Sequence, residues 1–330
     1  MMTGPETPIG ESPAFLEVLE ATSRIAPLEK PALIVGERGT GKELIADRLH
    51  LLSERSAQAV LKMNCAAISD ALLESELFGH EAGAFTGASR THHGRFERAD
   101  GGTLFLDELA TTSPLVQEKL LRVIEYGEFE RVGGSRTLAC DVRLIAATNE
   151  DLPRLAAAGK FRSDLLDRLA FDVITLPPLR ERRDDILLLA ERFAIDMCRE
   201  LGREVFPGFS GDAVRRLLAH DWPGNIRELK NVVERCVYRT RAGQPVAEIV
   251  LDPFESPYRP GGAPKAQGAV RPPAFPLDLK SAVRDFEVAT IRRALDASRH
   301  NQRKAAEQLS LTYHQLRGYL KKYDILKGGG

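Results

Sequence analysis

Five short apolar runs rich in strand formers punctuate the first half of the chain: Ala32-Leu33-Ile34-Val35, Val60-Leu61-Lys62-Met63, Thr103-Leu104-Phe105-Leu106, Val142-Arg143-Leu144-Ile145-Ala146 and Phe171-Asp172-Val173-Ile174. Longer segments with helical spacing separate them. Parallel strands need a long crossover between them, so this alternation predicts an α/β fold, a parallel sheet between layers of helices. After Pro177-Pro178 the pattern changes. Ile186, Leu189, Ala190 and Phe193 recur at three- and four-residue intervals, which predicts a small helical subdomain. The following stretch, Ser256-Pro257-Tyr258-Arg259-Pro260-Gly261-Gly262 through Arg271-Pro272-Pro273, offers little to a core and reads as a linker. The remainder is helical and basic, with 11 Lys or Arg against 6 Asp or Glu over residues 278–330, about +5, in a chain whose formal net charge is -1. Such an end on a near-neutral body points to nucleic acid. The expected divisions are 1–178, 179–255, 256–276 and 277–330.

At 330 residues, 43% hydrophobic and 28% charged, the chain has the size and composition of a soluble globular protein with a real core. No apolar run approaches the roughly 18 residues needed to span a bilayer, and the N-terminus lacks an export signal, so no membrane insertion is expected. Cys65, Cys140, Cys198 and Cys236 show no metal-binding spacing, which reads as a reduced, cytoplasmic protein without a zinc or disulfide framework. His92-His93 reads as a solvated loop pair.

The chemistry is concentrated at two strand ends. Gly36-Glu37-Arg38-Gly39-Thr40-Gly41-Lys42 follows the first run and opens a helix at Glu43. Glycines let backbone N–H groups crowd round phosphates, the helix N-terminus adds positive potential and Lys42 supplies a point charge, so ATP is the expected cofactor. The general motif has Ser or Thr after the lysine to hold Mg2+; Glu43 stands there, and could hold the ion through water or point elsewhere. The third run ends in Asp107-Glu108. Two adjacent carboxylates there are costly without a compensating cation, which magnesium-ATP supplies. As in other P-loop ATPases, Asp107 would hold the metal and Glu108 would polarise the attacking water.

Between these halves lies Gly83-Ala84-Phe85-Thr86-Gly87-Ala88. From the residues alone it is a glycine-flanked turn with Phe85 tucked into the core. Together with the preceding Ser75-Glu76-Leu77-Phe78-Gly79-His80-Glu81-Ala82, however, it resembles the polymerase-contacting loop of the bacterial sigma-54-dependent transcriptional activators. Trp222-Pro223-Gly224-Asn225-Ile226-Arg227-Glu228-Leu229 resembles a second mark of that family. The resemblance runs from Ile9-Gly10-Glu11-Ser12 to Lys322, and in this family Glu at position 43 is common. It implies an AAA+ ATPase in which Thr148 and Asn149 sense the γ-phosphate, Asn64 restrains Glu108, and Arg162 and Arg168 reach into a neighbouring subunit's site. It also makes Arg227 a second nucleotide sensor. The residues alone also allow a strand-end cap at Thr148-Asn149, a turn at Asn64, an Asp164–Arg168 ion pair on one helix and a salt bridge within the lid for Arg227. Asn225 reads as N-cap of the helix that carries Arg227, with Glu228 at its third position.

Near the C-terminus, one helix from Asp285 to Ala297, a second over Asn301 to Leu309, a break at Ser310-Leu311 and a third over Thr312 to Lys322 read as a helix-turn-helix packed through Ala305, Ala306, Leu309, Leu311, Leu316 and Leu320. Thr312 caps the third helix, Tyr313, His314, Gln315 and Arg317 face base edges, and Arg303, Lys304, Lys321 and Lys322 suit phosphates. The segment resembles the Fis-type domains of such activators, with Ser310 where the family usually has Gly. Gly318, inside the helix, should cost about 1 kcal/mol relative to Ala. The resemblance therefore implies an activator on enhancer DNA, hexameric when active, that spends ATP to drive sigma-54 RNA polymerase from the closed to the open promoter complex. Lacking a sensing domain ahead of the ATPase, it is similar to activators of phage-shock, envelope-stress genes, which implies control by a separate inhibitor, PspA. The alternatives are an AAA+ motor acting on another target and a nucleotide-responsive DNA-binding repressor.

Overall fold

The computed structural model describes residues 7–254, 259, 278–298 and 301–323. Two compact units meet between Pro253 and Phe254. The expected linker at 256–276 lies, except for Arg259, outside the described residues.

In the first unit, strands β1 (Ala32–Val35), β2 (Val60–Asn64), β3 (Thr103–Asp107), β6 (Arg143–Thr148) and β7 (Val173–Thr175) form one parallel sheet in the order β2-β3-β6-β1-β7. Alternation along the strands builds two cores. Leu33, Leu104, Leu106, Leu144 and Ala146 face α3 (Asp70–Phe78), α5 (Pro114–Tyr126), α6 (Leu152–Ala157) and α7 (Ser163–Leu169). Ile34, Phe105, Ile145, Ala147 and Ile174 face α1 (Pro13–Ile25) and α2 (Lys42–Leu51). The expected parallel sheet is present, but β7 starts later than expected, and Phe171 is exposed.

An antiparallel hairpin of β4 (Glu128–Glu130) and β5 (Thr137–Ala139) was not foreseen. Three-residue strands with acids flanking one Phe give almost no periodic signal. Phe129 packs with Phe78 and with Phe96 of the short α4 (Arg95–Arg98), so the hairpin is anchored in the sheet's own core.

The lid consists of α8 (Arg183–Glu200), α9 (Gly211–Ala219) and α10 (Asn225–Arg239), packed around Trp222, whose indole N–H donates to the Leu217 carbonyl at 2.9 Å. A buried ion pair joins this lid to the start of the chain. Asp185 accepts from the Arg182 guanidinium at 2.8 Å and from Glu11 N, Ser12 N and Ser12 Oγ, so its charge is fully hydrogen-bonded.

The second unit contains α11 (Leu279–Ala297), α12 (Gln302–Gln308) and α13 (Tyr313–Lys322) around Ile291, Leu295, Ala305, Ala306, Leu316 and Leu320. Asn301 caps α12, Ser310 takes the left-handed conformation at φ 55°, and Thr312 caps α13 in a reciprocal box with Gln315. The glycine-like backbone at Ser310 is thus retained without glycine. The first helix begins at Leu279, earlier than expected.

Candidate functional site

The sheet brings four expected segments to the carboxyl ends of adjacent strands, the usual ligand position in a parallel α/β sheet. Its register sets Val35 beside Thr148 and Asn64 beside Asp107. The glycine loop leaves β1 and its first peptide is fixed by Gly36 N donating to Thr148 O at 3.1 Å. Gly39 and Gly41 have φ of 78° and 98°, and a Cβ on Gly39 would lie 2.4 Å from the Gly224 carbonyl oxygen, so only glycine fits there.

Lys42, the first residue of α2, is buried, and its ammonium donates to the carbonyls of Gly36 at 2.9 Å and Glu37 at 3.2 Å. Burial pushes its pKa down, while Asp107 and Glu108 pull it back up. Among the described residues no carboxylate lies within ion-pair distance of Lys42. A buried cation resting on loop carbonyls, with two carboxylates beyond it, fits a phosphate chain with its metal. Asp107 Oδ1 accepts from Glu108 N at 2.9 Å; Glu108 holds φ 54°, its side chain is only 12% exposed, and Arg38 Nε lies 3.7 Å from its carboxylate. Burial beside these acids raises the Cys65 thiol to about 12, keeping it neutral.

Several residues take the plainer of the readings open to them, and one departs from its reading. The Glu43 carboxylate points elsewhere: it accepts from Lys62, which also pairs with Asp47. Asn64 acts as the turn residue, its side chain accepting from Ala66 N at 2.9 Å, and no hydrogen bond joins it to Glu108. Thr148 is buried and caps its own strand end through Glu150 N, while Asn149 beside it is half-buried. Asn225 is not an ordinary N-cap. It is buried at φ 54°, its side-chain oxygen accepts from Leu179 N, and its amide donates to Glu37 and to the Arg38 carbonyl. The glycine loop recruits it because the lid packs there: Ile226 N donates to Gly39 O at 2.9 Å. Arg227 is exposed in the first turn of α10 and close enough to lower the Lys42 pKa.

Glu37 completes a loop-to-lid contact that the sequence reading missed. Arg180 holds it with two hydrogen bonds of 2.6 and 3.0 Å, and this bond followed by that from Asn225 keeps its carboxyl below the usual range. A charged residue inside a glycine loop was the available signal.

The Asp164–Arg168 ion pair that the spacing allowed does not form. Asp164 pairs with Arg162 at 2.7 Å, and Arg168 reaches Glu125 on α5 at 2.7 Å instead. Arg162 precedes α7 as its cap residue, so the two arginines do not share one helix face. Neither contacts the glycine loop, Asp107 or Glu108.

The segment 83–88 closes on itself through Gly83 N to Ala88 O at 2.7 Å and Ala88 N to Phe85 O at 3.0 Å. Ala88 is buried and Ala84 half-buried, whereas Gly83, Thr86 and Gly87 are exposed. Phe85 is 42% exposed, its ring against the edge of His80, which corrects the core placement expected from the residues alone. Below it, His80 pairs with His92 and Val132 through backbone bridges. His92 is accordingly half-buried and stacked on His80, not a solvated residue; only His93 is exposed. Arg131 ties this base together, bonding Glu81 at 2.7 Å and Glu97 at 2.6 and 2.8 Å, and holds the Glu97 carboxyl down at about 2.

In the second unit Arg303 and Arg317 both lie over the Tyr313 ring, and Arg303, Lys304, His314 and Lys321 are exposed. The Gln315 side-chain oxygen Oε1 accepts from Thr312 N and Oγ1, so this side chain, expected to face bases, is drawn back into the cap.

Residues 8–175 match the Sigma-54 interaction domain, 180–256 the AAA+ ATPase lid domain and 282–323 the Fis family of bacterial regulatory proteins. The chain is 59% identical to the Psp operon transcriptional activator of Escherichia coli K12, over 96% of this chain and 98% of that one. It is 44% identical to the transcriptional regulatory protein ZraR of Salmonella typhimurium, over 95% and 68% respectively. Crystal structures of NtrX from Brucella abortus with ADP and with ATP superpose with TM-scores of 0.70 and 0.69, at 32% identity and over 96% of this chain and 70% and 69% of those chains.

Proposed function

The chain belongs to the sigma-54-dependent transcriptional activators, an AAA+ domain and lid followed by a Fis-type helix-turn-helix, and from that premise we propose that it uses ATP hydrolysis to remodel sigma-54 RNA polymerase from the closed to the open promoter complex. Its active form is a hexameric ring in the cytoplasm, tethered to enhancer DNA of phage-shock genes and restrained by a separate inhibitor of the PspA type. No helix among the described residues is long and apolar enough to cross a membrane. The working division remains 1–178, 179–255, 256–276 and 277–330.

The observation that carries this reading is an exposed Phe85 on a braced loop, in the same compact unit as a buried lysine facing two carboxylates. Bound magnesium-ATP supplies the phosphoryl group that is transferred to water. Residues 36–42 would hold the phosphates through backbone N–H groups and Lys42, Asp107 would hold the metal, and Glu108 would accept a proton from the attacking water. Thr148, Asn149 and Arg227 register the nucleotide, Asn64 restrains Glu108 once the nucleotide is bound, and Arg162 and Arg168 act on a neighbour's site. Residues 83–88 contact sigma-54. Arg303, Lys304, Thr312, Tyr313, His314, Arg317 and Lys321 form the DNA face, with Gln315 setting the cap beneath them.

The test is open-complex formation by sigma-54 polymerase with ATP against a non-hydrolysable analogue. Opening is expected only with ATP, and Phe85→Ala or Thr86→Ala should keep hydrolysis while losing opening. Hydrolysis without any opening by the parent protein would redirect the reading to another remodelling target.

A further inference from the structure

Gly318 occupies the middle of α13 with nothing in this chain to require it. Its backbone is ordinary right-handed helix, and apart from the helix's own backbone and the adjoining residues nothing lies within 4 Å of where its Cβ would be. Glycine there weakens the helix, and neither a turn nor a close neighbour in the described residues compensates. The residue stands about 200° round the helix from buried Leu316 and about 160° from buried Leu320, so it sits at the centre of the outward face. Exposed His314, one turn before, and exposed Lys321, nearly one turn after, both lie within about 60° of it round the helix, so the missing side chain leaves a shallow notch between them along the axis. With Arg317 lying over the Tyr313 ring and Gln315 held in the cap, the notch is left open.

We propose that Gly318 is the point of closest approach between this helix and DNA, and that the notch determines sequence preference by accepting the C5-methyl group of a thymine. The inference rests on the DNA-binding reading above. The thymine methyl is the apolar group that the major-groove edge presents, and a side chain at 318 would hold the helix off the bases that His314 and Lys321 reach. Phosphate contacts from Arg303 and Lys304 do not depend on the notch.

A random duplex library is selected with the full-length protein, and the enriched duplex becomes the probe at one fixed salt concentration. Gly318→Ala is expected to bind it about tenfold more weakly, with binding to an unselected duplex unchanged. Amide exchange over residues 313–322 of the full chain should slow about fivefold in the same variant, which separates the loss from any weakening of the fold. Replacing each thymine of the probe by uracil should weaken the parent at one position and restore Gly318→Ala there. Equal affinity of parent and variant for the enriched duplex, or a variant that no uracil substitution restores, overturns the inference and leaves DNA binding standing. Failure of the parent to enrich any sequence overturns both.

Discussion

Glu108 joins two costs in one residue, a left-handed backbone and a carboxylate largely removed from water. Both make sense if the side chain must stand beside Asp107, facing what Lys42 binds. Glu108→Gln keeps the shape and removes the base, so nucleotide binding should persist while turnover falls by about 10²–10⁴, measured by equilibrium binding beside steady-state hydrolysis. Asn225 bears a different load. Truncation to Ala strands the Leu179 N–H without its acceptor and removes two contacts to the glycine loop. A loss of roughly 1–3 kcal/mol is expected in denaturant unfolding. The glycine loop and the paired acids were legible in the sequence because their chemistry is local in the chain. The role of Asn225 was not, since its partners lie 46, 188 and 187 residues away.

Elements rather than single residues explain the exposed loop. Three segments, around His80, His92 and Val132, make a small platform, and Arg131 from beyond β4 clamps it to α4. The sequence marked the loop but not this support, because the hairpin strands are too short to show a period. Hydrogen bonding to Arg131 lowers the Glu97 carboxyl from its usual 4.5 to about 2. Its stabilising contribution is therefore complete above the unfolded value and is lost as pH falls from about 4.5 towards 2. The stability advantage of the parent over Arg131→Gln should be constant near neutrality and begin to shrink below about pH 4.5, read from urea midpoints at several pH values. The helix-turn-helix was the most legible element, since the cap at Thr312 and leucines at helical spacing are short-range signals. The cap also claimed Gln315, a competition that only the folded turn reveals.

For the whole molecule, Arg162 and Arg168 give the sharpest expectation. Each is paired to acids on its own surface, and neither reaches the site of its own chain. If they complete a neighbour's site, hydrolysis per subunit should climb with protein concentration in step with the scattering mass. Arg168→Ala should lose about 10³-fold or more, and mixing it with Glu108→Gln should restore partial activity through interfaces that combine an intact Arg168 with an intact Glu108. A per-subunit rate independent of concentration would exclude the trans assignment.

What the sequence by itself determined is what depends on neighbours along the chain: the alternation that makes a parallel sheet, the glycines that shape a loop, the acids at a strand end and the helix caps. Only the tertiary structure decided which polar groups met. It turned Glu43 to Lys62, sent Arg168 to Glu125, bound Glu37 to Arg180 and Asn225, and left Phe85 at the surface above His80. Long polar side chains choose partners by packing and desolvation across distant segments, and spacing along the chain carries no record of that choice.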